Sequence, residues 1–196
     1  MGFRAYGDHS RNAIPFLFAV VAFSLSVGCG WISNAGADQN DPRLPGLFQA
    51  LEATSDPQEG DRIGRRIAEI WNEHDNEGIV DIMQQGQSLM TQGQLELALG
   101  NFTAITKIEP AFAEAWNKRA SVLYKMGELD AAARNIAETL VREPRHFLAI
   151  AGQGVIYLQK GDLEDALRAF DHALKINPHL SGTQKAAHEI RKRLSN

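Results

Sequence analysis

The histidines and the single cysteine are the side chains of this sequence best suited to chemistry. His172, His179 and His188 lie close together near the C-terminus, but their spacing matches no common metal-binding pattern. Such histidines are usually exposed polar residues. Because Cys29 is the one cysteine of the chain, neither an internal disulfide nor a zinc site of several thiolates is possible within one molecule.

Catalytic motifs are missing from the sequence. It contains no G-x-S-x-G pattern, no phosphate-binding P-loop and no H-E-x-x-H pattern. The net charge is -4 and the pI is about 5.9, whereas nucleic-acid binders usually carry a basic face. We therefore expect a protein that is not an enzyme, that uses no metal or cofactor and that does not bind nucleic acid.

Residues 1–37 differ in kind from the rest of the chain. Arg4 and Arg11 precede an apolar run from Ala13 to Val27, and this order is typical of an export signal. Residues 38–44 are polar and belong to a predicted flexible linker. The sequence thus predicts an exported protein of the periplasm or cell envelope.

Three fates of this N-terminal segment stay open. The stretch "SVGC" ending at Cys29 resembles the lipobox of bacterial lipoproteins, although Ser26 stands where leucine is usual. The stretch Ala35–Ala37 fits an A-x-A cleavage site. An uncleaved anchor from Ile14 to Ile32 is barely long enough to span a bilayer. Membrane contact is expected if the segment is lipidated or uncleaved.

The remaining sequence repeats itself with a period of 34 residues. Columns of glycine, leucine, alanine, a large apolar residue and proline recur in three units without a gap. These columns are Gly93, Gly127 and Gly161; Leu95, Leu129 and Leu163; Ala98, Ala132 and Ala166; Phe102, Ile136 and Phe170; Pro110, Pro144 and Pro178. A fixed period of this length indicates a repeat array.

Each column has a physical reason within a pair of helices. A glycine can end the first helix in the left-handed conformation, and the acidic column of Glu96, Asp130 and Glu164 suits the first turn of the second helix. Gly154 is small because the two helices cross there, and proline cannot extend the second helix. Each unit is therefore predicted to be a helix hairpin that stacks on its copies.

These residues resemble the tetratricopeptide repeat family, whose pattern is W-x2-L-G-x2-Y, then glycine, then A-x3-F-x2-A and proline. Trp116 occupies the tryptophan place, while Arg119 stands where an apolar residue is usual. The resemblance implies an all-α fold, an α-solenoid of tetratricopeptide helix hairpins. Its units are residues 79–112, 113–146 and 147–180, between N-terminal capping helices at 45–78 and a C-terminal capping helix at 181–196. The N-terminal pair has the apolar spacing of a further, decayed repeat.

In this family the first helices of the units line a concave groove that binds a protein or peptide. Carried onto this chain, the peptide-binding groove consists of Val80, Met83, Gln87, Met90, Asn117, Ser121, Tyr124, Lys125, Leu148, Ala151, Val155 and Leu158. Chaperone-binding members clamp a C-terminal carboxylate with lysine and asparagine. Because Met83, Gln87, Leu148 and Gly152 stand at those places here, the clamp is absent.

Two alternatives to an open groove remain. A neighbouring helix of the same chain, such as the N-terminal cap, could cover some groove residues. The protein could instead be a structural subunit of a membrane-associated assembly that uses its outer face or the basic tail at Lys185 and Arg191–Arg193.

Two segments resemble those of exported tetratricopeptide proteins of proteobacteria. They are "WNKRA" at Trp116–Ala120 and "EPRHF" at Glu143–Phe147. Arg119, Arg145 and His146 are candidates for a polar cluster around Glu143, serving either as an internal salt bridge that sets repeat register or as a ligand site.

Overall fold

The computed structural model describes residues 41–196, which form nine α-helices and no strand. They are α1 (Leu44–Ala53), α2 (Pro57–Asn72), α3 (Glu77–Thr91), α4 (Leu95–Ile108), α5 (Ala113–Lys125), α6 (Leu129–Arg142), α7 (Phe147–Lys160), α8 (Leu163–Ile176) and α9 (Ser181–Leu194). None of the helices in this part of the chain is both long and apolar enough to span a bilayer. The all-α prediction is confirmed. The predicted signal, Cys29 and residues 38–40 of the linker lie outside the described residues.

Three hairpins, α3–α4, α5–α6 and α7–α8, stack in chain order, and α9 packs on α8 at the end of the array. The residue between the two helices of each hairpin is a glycine with positive φ: 77° at Gly93, 82° at Gly127 and 86° at Gly161. Glycine adopts this left-handed backbone without a Cβ penalty, so the repeated glycine ends the first helix of every unit.

The two helices of each hairpin cross at a pair of residues that match in size. A Cβ at Gly154 would lie 2.5 Å from the Phe170 ring, and one at Gly86 would lie 2.8 Å from Phe102. The middle unit has Ala120 in the small column, and its partner column holds Ile136, which belongs to the same buried cluster. Glycine thus stands opposite the larger phenylalanine, and alanine stands opposite the smaller isoleucine.

Helices α1 and α2 do not stack on α3 as a fourth hairpin, so the interpretation as a further repeat is wrong. Short turns at residues 109–112 and 143–146 join the units, and a third turn at 177–180 leads to α9. Helix α2 lies beside the second and third of these turns, which its Trp71 and its Gly60 and Gly64 contact respectively. Its apolar face, with Ile67 and Trp71, is part of a buried cluster with Phe147, Ile176 and Leu180. We call α2 the strap helix and number these turns one, two and three.

The strap helix has a capped N-terminus. Asp56 caps it, because its side chain accepts a hydrogen bond of 2.9 Å from the Gln58 backbone N–H. Pro57 is the first helical residue, where its missing N–H breaks no helical hydrogen bond. The resulting 16 residues are about 24 Å long, enough to reach from turn three at Gly60 to turn two at Trp71.

Candidate functional site

A groove with a cavity volume of about 270 Å³ runs between α5 and α7. Its lining combines a mostly polar wall from α5 with an apolar wall from α7. The lining residues are Asn117, Ala120, Ser121, Tyr124, Lys125, Ile136, Leu148, Gly152, Val155 and Ile156. Leu148 is 42% exposed and Val155 is 36% exposed, so two large apolar side chains face solvent here.

The polar wall of this groove is held by internal contacts. The Tyr124 hydroxyl donates a hydrogen bond of 3.1 Å to Gln159 Oε1, which joins α5 to α7 at one end. The Ser121 hydroxyl donates to the Asn117 carbonyl oxygen at 3.0 Å. Lys125 is exposed and forms no ion pair with the described residues, so it adds a positive charge beside the apolar wall.

Six of the twelve residues predicted to form the groove line this cavity. They are Asn117, Ser121, Tyr124, Lys125, Leu148 and Val155. Ala151 is half-buried on α7. Leu158 packs on the buried cluster of Ala166 and Phe170, so this residue contributes to the joint between α7 and α8.

The first unit carries a separate pocket with a cavity volume of about 240 Å³. Val80, Met83 and Gln87 line it together with Asn72, Gln84 and Lys118. Met83 is only 4% exposed and lies in the core, and Met90 packs against the same core. These methionines pack in the hairpin interior, so they contribute little to an exposed groove surface, which corrects their placement among the groove residues.

The strap helix reaches this first pocket. Asn72 Oδ1 accepts a hydrogen bond of 3.2 Å from Gln87 Nε2. The end of α2 therefore covers one predicted groove residue, as the alternative of a self-covered groove requires, while the cavity between α5 and α7 stays open.

Glu114 is the centre of a buried polar cluster at turn two. It is 3% exposed and accepts hydrogen bonds of 2.9 Å from Asn117, His146 and Lys118. Burial opposes ionisation of this carboxyl, but the hydrogen bond from His146 and the Lys118 charge outweigh it and lower its pKa to about 2. The cluster thus joins α5 to the turn before α7 through an ionised carboxylate.

The hydrogen bonds of His146 fix its tautomer. Its Nδ1 accepts the Ala149 backbone N–H at 3.1 Å and caps α7, so the ring proton lies on Nε2 and is donated to Glu114. The ring is fully buried and stacks on Trp71 of the strap helix, with ring centroids 4.1 Å apart and an interplanar angle of 16°. His146 therefore links the strap helix, α5 and α7.

Glu143 supports the same turn from the other side. Its carboxylate accepts hydrogen bonds from the Trp71 indole at 3.3 Å and from the Arg145 backbone N–H at 2.9 Å. The Arg145 guanidinium lies 3.5 Å from Glu143 and over the Phe48 ring. The predicted pairing of Glu143 with Arg145 thus holds, and its role is to join the turn to α1 and α2.

Arg119 does not belong to this cluster, which corrects the sequence prediction. It donates hydrogen bonds of 2.9 Å to Thr103 on α4 and to Asn135 on α6, and so joins the first two units. Sequence reasoning missed the roles of Glu114 and Trp71 in the cluster. The signal was weak, because Glu114 and His146 lie 32 residues apart and meet only when the hairpins stack.

The three C-terminal histidines do not meet. His172 and His188 are exposed, whereas His179 is half-buried, with its Nε2 in the interface with α2. Between residues 41 and 196, no group of three or more His, Cys, Asp or Glu side chains is placed to hold a metal ion. In the basic tail, Arg191 pairs with Asp171 of α8, while Lys192 and Arg193 are exposed.

The model of the family described as "Tetratricopeptide repeat" matches residues 83–133 and 117–181, which together span the three hairpins and half of the chain. The chain belongs to the tetratricopeptide repeat family. A TPR repeat-containing protein of Rhizobium etli is 28% identical over 153 residues, which cover 78% of this chain and 75% of that protein.

Solved TPR structures share the fold at low sequence identity. The first TPR of Spaghetti (RPAP3), bound to an HSP90 peptide, has a TM-score of 0.59 and 16% identity, covering 62% of this chain and 97% of that one. The Yersinia enterocolitica type III secretion chaperone SycD, in complex with a peptide of the translocator YopD, has a TM-score of 0.57 and 14% identity, covering 61% and 96%.

Proposed function

We propose that this TPR protein is a non-enzymatic scaffold that binds a protein or peptide segment in the groove between α5 and α7. The observation that carries the proposal is the solvent exposure of Leu148 and Val155 on one wall, opposite the polar side chains of α5. An apolar cavity with a few polar groups suits a segment that inserts one apolar side chain and bonds to the opposite wall.

Two further observations support a peptide ligand. The solved TPR structures that match this fold include domains bound to an HSP90 peptide and to a translocator peptide. The groove of this chain carries Leu148 and Gly152 where chaperone-binding members have the clamp residues. The preferred ligand is therefore an internal apolar segment with an acidic residue for Lys125, and a free C-terminus is not required.

The experiment starts from short random peptides displayed as a library and selected against the full chain. The selected peptides are then titrated by fluorescence anisotropy against the wild type and against Leu148→Glu and Val155→Glu. Each substitution puts a carboxylate on the apolar wall, so we expect peptide affinity to fall at least about tenfold.

Val141→Glu is the matched control, because Val141 is an exposed apolar residue (77%) on α6 outside the groove lining. This variant should bind the selected peptides like the wild type. Peptides that bind Leu148→Glu and Val155→Glu with unchanged affinity would show that the groove is not the binding site.

We also propose that the scaffold is exported to the periplasm or cell envelope, through the apolar segment that ends before Cys29. Mass spectrometry of the protein from its native cells reads the outcome directly. A lipid-modified N-terminal Cys29 or a free N-terminus at Asp38 supports export and separates the lipidated from the cleaved form. A mature protein that still begins at Met1 and fractionates with cytoplasmic markers would contradict the proposal of export.

A further inference from the structure

The pocket of the first unit is completed by a residue from outside the repeat array. Asn72, at the C-terminal end of the strap helix, lines it together with Lys118 of α5 and four side chains of α3. The α3 residues are Val80, Met83, Gln84 and Gln87. We call this cavity of about 240 Å³ the first-unit pocket. The strap helix therefore adds a polar side chain to a surface that the hairpins alone would form without it.

The lining of the first-unit pocket combines apolar side chains with primary amides. Met83 is buried and Val80 is half-buried, whereas Asn72, Gln84 and Gln87 each contribute a carboxamide. A carboxamide presents donors and an acceptor side by side, so a second carboxamide can bond to it in both directions. The lining thus suits a ligand side chain with a short apolar stem and an amide end.

Contacts within the protein orient these amides and leave part of their hydrogen-bonding capacity free. Gln87 Nε2 donates to Asn72 Oδ1 at 3.2 Å, and Asn72 Nδ2 donates to the Ala68 carbonyl oxygen at 2.9 Å. Gln87 Oε1 accepts no hydrogen bond from residues 41–196, and the exposed Gln84 side chain forms none with them. A ligand in the pocket therefore meets an oriented acceptor on Gln87 and an adaptable amide on Gln84.

The charge of Lys118 is already matched inside the protein. Its Nζ lies 2.9 Å from Oε1 of the buried Glu114. A ligand carboxylate would compete with Glu114 for this ammonium group, and it would face the Gln87 Oε1 acceptor without a proton to donate. A neutral carboxamide donates to Gln87 Oε1 and accepts from the remaining Lys118 N–H groups. The pocket thus favours an Asn or Gln side chain over an Asp or Glu side chain.

The first-unit pocket and the groove between α5 and α7 lie on the two sides of α5. Lys118 lines the pocket, and its neighbour Asn117 lines the groove. The axes of packed helices are about 8–10 Å apart, and an extended chain advances about 3.3 Å per residue. One extended segment can therefore reach both cavities with side chains that are about three residues apart.

We propose that the first-unit pocket binds an Asn or Gln side chain of the ligand, about three residues from the apolar side chain that fills the groove. This inference rests on the proposed function of the groove, and it assigns Gln87 and Asn72 as the residues that select the amide. Gln87 Oε1 accepts a hydrogen bond from the ligand amide. Asn72, from the strap helix, holds the Gln87 side chain in the orientation that leaves this oxygen free.

The probes are the peptides selected from the random library against the full chain. We expect them to carry Asn or Gln about three residues from an apolar residue. Replacing that amide residue with Ala, or with the acid of the same length, should lower affinity about five- to tenfold in fluorescence anisotropy, because its hydrogen bonds are lost. Selected peptides without an amide at this spacing, or equal affinity of the acidic version, would overturn the proposal.

Two substitutions in the protein assign the contact to its residues. Gln87→Ala should weaken the amide peptide by a similar factor and leave the affinity of the Ala-substituted peptide unchanged, because that peptide has no amide to lose. Asn72→Ala should have the same effect through Gln87. An equal loss for both peptides in these variants would indicate a general structural disturbance and would overturn the assignment.

Gln92→Ala is the matched control, because Gln92 is an exposed amide residue directly after α3 and outside the pocket lining. This variant should bind both peptides like the wild type. If Leu148→Glu weakens binding while Gln87→Ala and Asn72→Ala do not, the groove stands and the amide pocket is wrong. If none of the three weakens binding, the groove itself is wrong.

Discussion

Glu114 shows at the residue scale how this fold uses an ionised side chain in its interior. The carboxylate is buried, yet its hydrogen bonds from His146 and Asn117 and the charge of Lys118 keep it ionised. Burying a charge is costly unless its partners compensate, and here four donors, from Asn72, Asn117, His146 and Lys118, converge on two oxygens. We therefore assign the residue to the joint between α5 and α7.

We predict that Glu114→Gln lowers the free energy of unfolding at neutral pH by about 3 kcal/mol or less. The folded-state pKa of about 2 lies below the ordinary 4.5, so the carboxylate stabilises the fold above pH 4.5 and loses that contribution as pH falls toward 2. The difference between variant and wild type should shrink over this range in urea unfolding series. A constant difference from pH 6 to about pH 2 would contradict the assignment, and exposed Glu164→Gln controls for loss of one acidic charge.

Only some of the contacts in this cluster could be predicted from the sequence. Glu143 and Arg145 are two residues apart, so their pairing could be predicted from the sequence alone. The contact of Glu114 with His146 requires the stacking geometry of two hairpins. The prediction for Arg119 was wrong for a related reason. Its side chain reaches α4 and α6, and the repeat pattern of a sequence does not predict in which direction a long side chain extends.

At the scale of elements, the hairpins follow from the repeat almost completely. The left-handed glycines end the first helices, and the small column meets the large column at each crossing. The 34-residue period predicts these features because the same columns of residues pack together in every unit. The pairing of Gly86 with Phe102, Ala120 with Ile136 and Gly154 with Phe170 adds that the summed size of the two residues stays similar from one crossing to the next.

We predict that Gly154→Ala destabilises the protein by about 1–3 kcal/mol, because its methyl group would overlap the Phe170 ring. Gly100→Ala is the matched control in α4, where an added Cβ meets nothing within 4 Å. That variant should be neutral or more stable by about 0.5–1 kcal/mol, since alanine favours the helix. Thermal and urea unfolding of both proteins measure the contrast; equal effects would contradict the crossing model.

The strap helix is the element that sequence reasoning placed wrongly. Its apolar residues recur every three or four positions, and that spacing is the same whether a helix stacks beside α3 or crosses the turns. Gly60 and Gly64 are the sequence signal of its actual contact with turn three. A Cβ at Gly64 would lie 2.9 Å from Asn177, and one at Gly60 would overlap His179. Small residues one turn apart on an otherwise large apolar face indicate a close approach.

At the scale of the molecule, the strap helix joins parts that a repeat array leaves independent. In a TPR stack each unit contacts its neighbours, so stability is nearly a sum of local terms. Here Trp71 contacts turn two, while Gly60 and Gly64 contact turn three. These contacts couple the turn between the second and third units to the turn before α9.

We predict that Trp71→Ala lowers the free energy of unfolding by about 3–5 kcal/mol and also lowers the urea m-value, because α2 then unfolds before the array. Trp71 is 5% exposed and stacks on His146 at the C-terminal end of α2, so its removal weakens the docking of the strap helix on turn two. Circular dichroism across a urea series measures both quantities. Trp116→Ala, on α5 and away from the strap, should lower stability with an unchanged m-value; the same m-value in both variants would contradict this coupling.

The position of α2 in the chain has a consequence for the order of folding. The ribosome makes the strap helix before either of the two turns on which it lies, and Leu180 follows Asn72 by about 100 residues, or about 5–20 s of synthesis. Until Phe147 and Leu180 have been made, the face of α2 that carries Ile67 and Trp71 lacks its partners from the array, and contacts at such long sequence separation form slowly. Nascent α2 therefore keeps an apolar face exposed while the units that it will contact are being made.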